Sequence, residues 1–152
     1  MSLESKLREH RFLAELEPHE LRIITPFATE VRFGSGEFLF RQGGDASTFY
    51  LIQSGKVDVE FFAAAGGPLV LQTLKEGDIL GWSWLLPPYR WRFDARAVEE
   101  TKAIAIDGAG LRNELEIDHD MGYVFFKRFL SVITLRLEAA RLRLVEMYAA
   151  HS

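Results

Sequence analysis

The stretch FYLIQSGKVDVEF, residues 49–61, contains two apolar segments separated by a short turn. On both sides of the turn an apolar side chain stands at every second position, which is the period of a β-strand with one buried face. Ser54-Gly55 supplies residue types that favour turns. The alternating apolar positions are Phe49, Leu51, Val57, Val59 and Phe61. The stretch therefore predicts two short antiparallel strands.

The same pattern continues on both sides of this stretch, from residue 29 to residue 107. Gly-rich turns recur about every 8 to 12 residues, a spacing typical of a β-sandwich or roll. Residues 81–86 are expected to form one helical turn that Pro87-Pro88 stops. The remaining apolar pairs and strand segments are Val31/Phe33, Phe38/Phe40, Leu69/Leu71, 91–98 and 102–106. Together they predict an antiparallel, jelly-roll-like β-roll over residues 29–107.

Helical patterns flank the β segment on both sides. Residues 2–16 carry apolar positions at helical spacing and Pro18 opens a second short helix, so residues 1–28 are expected to form a helical N-terminus. Within residues 108–152, Asp118 is a suitable N-cap for a helix that runs to about Tyr148, roughly 45 Å at 1.5 Å per residue. The whole chain, 1–152, is predicted to be one α+β domain.

The long C-terminal helix carries apolar residues at spacings that alternate between four and three, as in a coiled coil. We call this set the heptad seam: Phe126, Leu130, Ile133, Leu137, Ala140, Leu144 and Met147. Since the sequence offers no second helix of comparable length, the seam predicts a homodimer; the alternative is a helix buried by its own domain on all sides. A second apolar stripe is expected to cover the β-roll: Val132, Leu135, Ala139, Leu142 and Val145 or Ala149.

Composition narrows the class of protein. The chain has 152 residues, 48% of them hydrophobic, and a net charge of −4, so it can bury one core and lacks the positive field of a nucleic-acid binder. It has no cysteine, which excludes disulfides and thiolate-held metals. Its apolar runs fall short of the roughly 20 residues of a membrane span, and the N-terminus has no signal core. We expect a soluble cytoplasmic protein with no nucleic-acid or membrane partner.

Neither a metal site nor a catalytic site is expected. His10, His19, His119 and His151 all lie outside the predicted strands, so they cannot form the metal site of a cupin-like β-roll. No paired carboxylates, nucleophile–base pair or P-loop occur at a spacing that marks an enzyme. We therefore predict no metal, no catalytic residues and no enzymatic activity.

Several short motifs carry a family resemblance over nearly the whole chain. They are Gly36-Glu37, Gln42-Gly43-Gly44-Asp45, residues 49–57 and Gly77-Asp78-Ile79-Leu80-Gly81. In this order the chain resembles the cyclic nucleotide-binding domain of the catabolite activator (CRP/FNR-like) family. The resemblance implies a β-roll with a long dimerisation helix and a sensory or regulatory role. Transcription factors of that family continue into a helix-turn-helix domain, whereas this sequence ends at Ser152, so we expect no DNA-reading domain.

The phosphate-binding cassette departs from the family pattern. The resemblance implies a glutamate after Gly81 that binds ribose and a later arginine that binds phosphate; Trp82 and Trp91 stand at those positions. The polar pair that contacts adenine falls on Ala140-Arg141. Arg90 or Arg92 could reach the phosphate through a bulge. The candidate pocket is Gly81, Trp82, Ser83, Trp84, Arg90, Trp91 and Arg92.

Period-two alternation argues against that bulge. It places Trp91, Phe93, Ala95 and Ala97 inside, and Arg90, Arg92, Asp94 and Arg96 outside. Three interpretations of the pocket stay open: cAMP or cGMP binding, which the lost anchors make doubtful; a different small ligand; or filling by an aromatic cluster of the chain itself. That cluster would comprise Trp82, Trp84, Tyr89, Trp91 and Phe93. The chain is accordingly expected to be a small-molecule sensor or a docking subunit for a separate effector or enzyme.

Overall fold

Two short helices open the chain in the computed structural model, which describes residues 2–150. They are α1 (Leu3–Glu9) and α2 (Pro18–Ile24), and each leads into a 3₁₀ turn, Arg11–Leu13 and Thr25–Phe27. The Ser2 hydroxyl caps α1 by accepting the Ser5 N–H at 3.2 Å, and Pro18 stands in the first turn of α2, where its missing N–H costs nothing. The predicted pair of N-terminal helices is confirmed.

Within residues 2–150, eight strands follow and form two antiparallel sheets of four strands each. The sheet orders are β1-β8-β3-β6 and β2-β7-β4-β5. The strands are β1 (Ala28–Phe33), β2 (Phe38–Phe40), β3 (Thr48–Ser54), β4 (Lys56–Ala63), β5 (Gly67–Lys75), β6 (Ile79–Leu80), β7 (Asp94–Ala97) and β8 (Thr101–Asp107). The predicted antiparallel β-roll is confirmed.

The turn at Ser54-Gly55 joins the two sheets. β3 pairs with β6 and β8, whereas β4 pairs with β5 and β7, so the two strands on either side of this turn do not pair with each other. Gly55 has φ of +97°, and a Cβ there would lie 2.5 Å from the carbonyl oxygen of Glu100. Only glycine fits this corner.

The core of the roll forms where side chains of the two sheets meet. The β3 and β6 sheet contributes Ile52 and Leu80, and the other sheet contributes Val57, Leu74 and Ala95, each 0–2% exposed. β3 is buried on both faces: Tyr50 and Ile52 lie on the side of this core, whereas Phe49 and Leu51, expected to form its one buried face, are fully buried on the other side. Burial of this apolar surface is the main source of the fold's stability.

The connection between β6 and β7 differs from the sequence-based expectation. The helical turn expected over residues 81–86 is not formed: the backbone makes a hydrogen-bonded turn from Leu85 N–H to the Trp82 carbonyl at 3.0 Å and no helix follows. The strand expected from residue 91 begins at Asp94, because the chain bends at residues 92–93. This bend changes which side chains face the interior.

Helix α3 (Gly108–Ile117) completes the first of two compact units, which ends at Ile117. The second unit begins at Asp118 and contains helix α4 (His119–Ala150). Asp118 Oδ1 accepts the Met121 N–H at 3.1 Å, which confirms the predicted N-cap. Residues 2–150 contain no helix whose length and hydropathy would let it span a bilayer.

Exposure along α4 corrects one expectation. The buried residues of the helix all lie near its start: Met121, Gly122, Phe125 and Phe129. The second apolar stripe is largely exposed instead of buried, with Leu135 at 72%, Leu142 at 59% and Val145 at 63%. It lies in the later turns of the helix, beyond the four buried positions. The heptad seam is exposed in the single chain as well, apart from Ile133, which is half-buried.

Candidate ligand pocket

A cavity of about 270 Å³ opens beside β2, β3 and the turn that joins them. Its lining combines apolar, aromatic and polar side chains: Leu39, Phe40, Arg41, Gly44, Asp45, Thr48, Tyr50 and Trp91. Of the seven pocket residues proposed from the sequence, Trp91 alone contributes to this lining. The other six lie in the loop between β6 and β7 and do not line the cavity.

Trp91 is fixed in place by both its ring and its backbone. The indole stacks on the Phe40 ring with centroids 3.7 Å apart and planes inclined by 6°. The Trp91 N–H donates to the Gly44 carbonyl at 2.9 Å, and the Gly43 N–H donates to the Trp91 carbonyl at 2.8 Å. Trp91 is only 7% exposed. Its ring therefore forms a rigid wall of the cavity.

The Trp91 indole also covers the turn at Gly81. Gly81 has φ of +97°, and a Cβ built there would lie 2.8 Å from the Trp91 ring. A side chain at this position would collide with the indole, and the backbone conformation itself favours glycine. The ring therefore packs directly against the backbone of the turn that the family resemblance identifies as the start of the phosphate-binding cassette.

The arginines around the cavity are engaged by carboxylates. Arg90 pairs with Asp45 at 2.6 Å, and Arg41 Nε lies 3.5 Å from Asp94 Oδ1. Arg92 is exposed, and neither Arg90 nor Arg92 lines the cavity. The bulge that would bring one of them inside is not formed, so the cavity rim carries balanced charges instead of an open cationic site.

Two residues next to Trp91 contradict the expected alternation. Asp94, expected outside, is 8% exposed and accepts the Gln42 N–H at 2.7 Å. Phe93, expected inside, is 37% exposed, and its ring contacts the Phe61 ring edge-on at 6.4 Å. The bend before β7 causes both differences, and the Gln42 N–H provides a partner for the buried carboxylate. Trp91, Ala95 and Ala97 are buried as expected.

The predicted aromatic cluster is divided in the structure. Trp84 is fully buried and stacks on Phe49 at 4.8 Å, away from the Trp91–Phe40 stack. Arg112 of α3 donates to the Trp84 carbonyl and lies 3.8 Å above the Tyr89 ring. These contacts fasten the 84–89 loop to α3. Gly81 is buried, and Trp82 and Ser83 are partly buried.

Phe40, Thr48 and Tyr50 line the cavity and were not identified from the sequence. Burial raises the pKa of Tyr50 above its ordinary value of 10.0, so its hydroxyl stays protonated at neutral pH. Thr48 and Tyr50 are two residues apart on β3 and so point to one face, which period two could have indicated. Phe40 gave no such signal, since its contact with Trp91 joins segments distant in sequence.

The histidine and carboxylate side chains of the described residues bear on the question of a metal site. Among residues 2–150, no group of three or more His, Asp or Glu side chains is placed to hold an ion. His10, His19 and His119 lie in or next to the helices, and His151 is outside the described residues. The candidate site is a small open cavity of the β-roll, with an aromatic wall and paired charges at its rim.

The comparison with known proteins identifies the family to which this β-roll belongs. The family model for the cyclic nucleotide-binding domain matches residues 30–118. This chain belongs to that family.

Two of the relatives are regulatory proteins by name. The anaerobic regulatory protein of Bacillus subtilis (strain 168) is 27% identical over 69% of this chain and 44% of its own length. The cAMP-dependent protein kinase regulatory subunit of Emericella nidulans is 28% identical over 74% of this chain and 26% of its own. This chain thus spans less than half of each curated relative.

A solved structure covers almost the same length as this chain. It is a protein of Geobacter metallireducens GS-15, provisionally assigned as a cyclic nucleotide-binding protein, with 28% identity and a TM-score of 0.80. The superposition covers 90% of this chain and 99% of the Geobacter chain. The arrangement of helices and sheets described above is therefore shared by an experimentally determined protein.

Proposed function

We propose that this chain is a non-enzymatic regulatory module whose nucleotide pocket is closed by its own side chains, so that it does not respond to cAMP or cGMP. The observation that carries the proposal is the position of Trp91, which stacks on Phe40 at 3.7 Å and covers Gly81. Family resemblance puts a phosphate-binding arginine at this position. The indole takes up space there and supplies no charge.

The size of the cavity supports this proposal. Small-molecule sites usually enclose about 300 to 1,000 Å³, and the cavity here measures about 270 Å³. Enlarging it would require the Trp91 indole to leave the Phe40 ring, while the two backbone hydrogen bonds with Gly43 and Gly44 hold the Trp91 backbone in place. A ligand would have to offset the lost ring stacking.

Electrostatics supports the same conclusion. A buried phosphate needs charge-assisted donors, but Arg41 and Arg90 are already paired with Asp94 and Asp45. A nucleotide that approached either arginine would compete with a carboxylate of the protein. On the ribose side, Trp82 replaces the glutamate implied by the family, and an indole N–H cannot accept a hydrogen bond from a ribose hydroxyl.

Such a module would act through contacts with another protein chain. We assign these contacts to the heptad seam of α4. Leu130, Leu137 and Leu144 are 63%, 48% and 54% exposed in the single chain, an apolar row that is rarely left in water. Their spacing fits a second copy of the same helix in a coiled coil. We propose a homodimer; docking on a separate effector is the alternative.

Isothermal titration with cAMP and with cGMP tests the pocket proposal. We expect no binding heat at sub-millimolar nucleotide and no change in melting temperature, since a ligand stabilises a protein only by binding its native state. A nucleotide-binding domain of a catabolite activator, measured in the same buffer, serves as the positive control. Micromolar binding of either nucleotide to the unmodified chain would refute the closed pocket.

A further inference from the structure

A buried histidine lies where the N-terminal helices meet the β-roll. We propose that His10 is a pH-sensitive latch: while neutral it holds the N-terminal segment against the β-roll, and when it takes up a proton it releases that segment. The latch shares no residue with the cavity lining and is independent of the proposed function.

The contacts of the two ring nitrogens define the neutral form. His10 is 8% exposed, and its Nδ1 accepts the Phe12 N–H at 3.2 Å. Because Nδ1 is an acceptor, the single proton of the neutral ring belongs on Nε2. Nε2 is buried and has no hydrogen-bond partner among the described residues. His10 thus fixes the start of the 3₁₀ turn without any contact that requires a charged ring.

The ring is enclosed by elements of the β-roll. The backbone of Ile52 in β3 and of Asp78 before β6 faces it. Beside it, Arg11 anchors the same segment by donating to the Gly77 carbonyl at 2.7 Å and pairing with Asp78 at 2.5 Å. The cleft along this joint, about 660 Å³, is also lined by the charged groups Lys6, Glu9, Lys75 and Glu76.

A proton on Nδ1 would disrupt this arrangement. The protonated ring has two donors and no acceptor, so Nδ1–H would face the Phe12 N–H and the capping hydrogen bond would be lost. A buried imidazolium also needs a partner. Asp78 is the carboxylate whose charge acts on the ring, but it already accepts from Arg11 and from the Lys75 backbone N–H.

Burial lowers the pKa of His10 below its ordinary value of 6.5, and Arg11 acts in the same direction, while the Ile52 and Asp78 backbone and the Asp78 charge oppose it. A released His10 therefore binds its proton more tightly than a packed one. The closed form has its full stability above about pH 6.5 and loses up to about tenfold in population per pH unit below it, until the lowered pKa is reached.

The released segment would comprise α1 and the 3₁₀ turn that follows it, since His10 lies between these two elements. Leu7 of α1 and Phe12 and Leu13 of the following turn are 0%, 5% and 1% exposed. Opening would bring these apolar side chains into water, which is unfavourable, so the segment stays closed at neutral pH. We expect its opening at lower pH to be local and reversible. Acidification would thus expose an apolar N-terminal surface without unfolding the β-roll.

Hydrogen exchange of the intact chain, read by mass spectrometry at pH 7.5 and pH 5.5 and corrected for intrinsic rates, tests the latch. We expect amides of residues 3–16 to lose up to about tenfold in protection at pH 5.5, while β3 and β8 keep theirs. His10→Asn should abolish the pH dependence, because an amide oxygen can accept the Phe12 N–H but does not titrate. His19→Asn, at an exposed histidine, should preserve it.

A second measurement covers the case in which His10→Asn does not fold. An NMR titration of the unmodified chain follows the His10 ring, which should protonate below pH 6.5 together with the loss of protection in residues 3–16. The proposal is overturned if protection is the same at both pH values, if His10→Asn retains the pH dependence, or if His10 titrates while the segment stays closed.

Discussion

The double variant Trp82→Glu/Trp91→Arg is expected to bind cAMP, whereas the unmodified chain and each single variant do not. The two changes supply the carboxylate for ribose and the guanidinium for phosphate that the family resemblance implies. They also remove the indole that stacks on Phe40 and covers Gly81. Each charge-assisted contact contributes about 1.5–3 kcal/mol, so the pair should raise affinity by about two to four decades.

Folding must be checked first, because loss of aromatic packing could destabilise the chain by about 3–5 kcal/mol per site at worst. A melting curve recorded before calorimetry shows whether the double variant is folded. Trp82→Gln/Trp91→Met is the matched control, since it removes the same rings without adding charges and should bind no nucleotide. A folded double variant that gives no binding heat would show that Trp91 does not occupy the phosphate position.

The Leu137→Glu variant is expected to convert a dimer into a monomer at micromolar concentration. Leu137 lies at the middle of the heptad seam and is 48% exposed in the single chain. A glutamate there would place two like charges opposite each other in an apolar interface, which neither chain could pair. Light scattering after size-exclusion chromatography measures the change directly.

Leu135→Glu provides the matched control for this experiment. Leu135 carries the same side chain, is 72% exposed and lies on roughly the opposite side of the helix, two positions from Leu137. Its substitution should leave the dimer intact. The homodimer through the seam is wrong if the unmodified chain is monomeric, or if the Leu135 and Leu137 variants behave alike.

Period-two alternation of apolar residues was sufficient to predict the β-roll, although burial does not follow it in every strand: Phe61 of β4 and Leu69 of β5 are 38% and 51% exposed. It placed β1 to β5 and β8 correctly and could not predict which strands pair. The turn at Ser54-Gly55 shows the difference: its flanking strands are sequence neighbours but belong to different sheets. Strand pairing depends on contacts between distant segments, such as β3 with β8.

The candidate site was predicted only in part, for the same reason. Trp91 was identified, but Trp84 and Trp91 were assigned to one cluster because they are close in sequence. In the structure Trp84 packs on Phe49 and Trp91 packs on Phe40. A bend of two residues before β7 was enough to bury Asp94 and expose Phe93. Irregular loops of this kind carry no periodic signal.

The C-terminal helix shows which of its features can be predicted from the spacing of apolar residues and which cannot. Asp118 was recognised as the N-cap because capping depends on a residue type at one position. The second stripe was predicted to be buried because it is apolar, yet Leu135 and Val145 are exposed. Spacing specifies which residues share a face of a helix, and burial depends on what lies against that face.

A crystal structure of the unmodified chain, grown with millimolar cAMP, tests the central claim most directly. The closed-pocket account predicts the Trp91 indole stacked on Phe40 at about 3.7 Å, in contact with the Gly81 backbone, and no nucleotide density in the cavity. Density for a cyclic nucleotide between the Gly81 turn and β7, with the indole displaced and Arg90 or Arg92 on the phosphate, would contradict it.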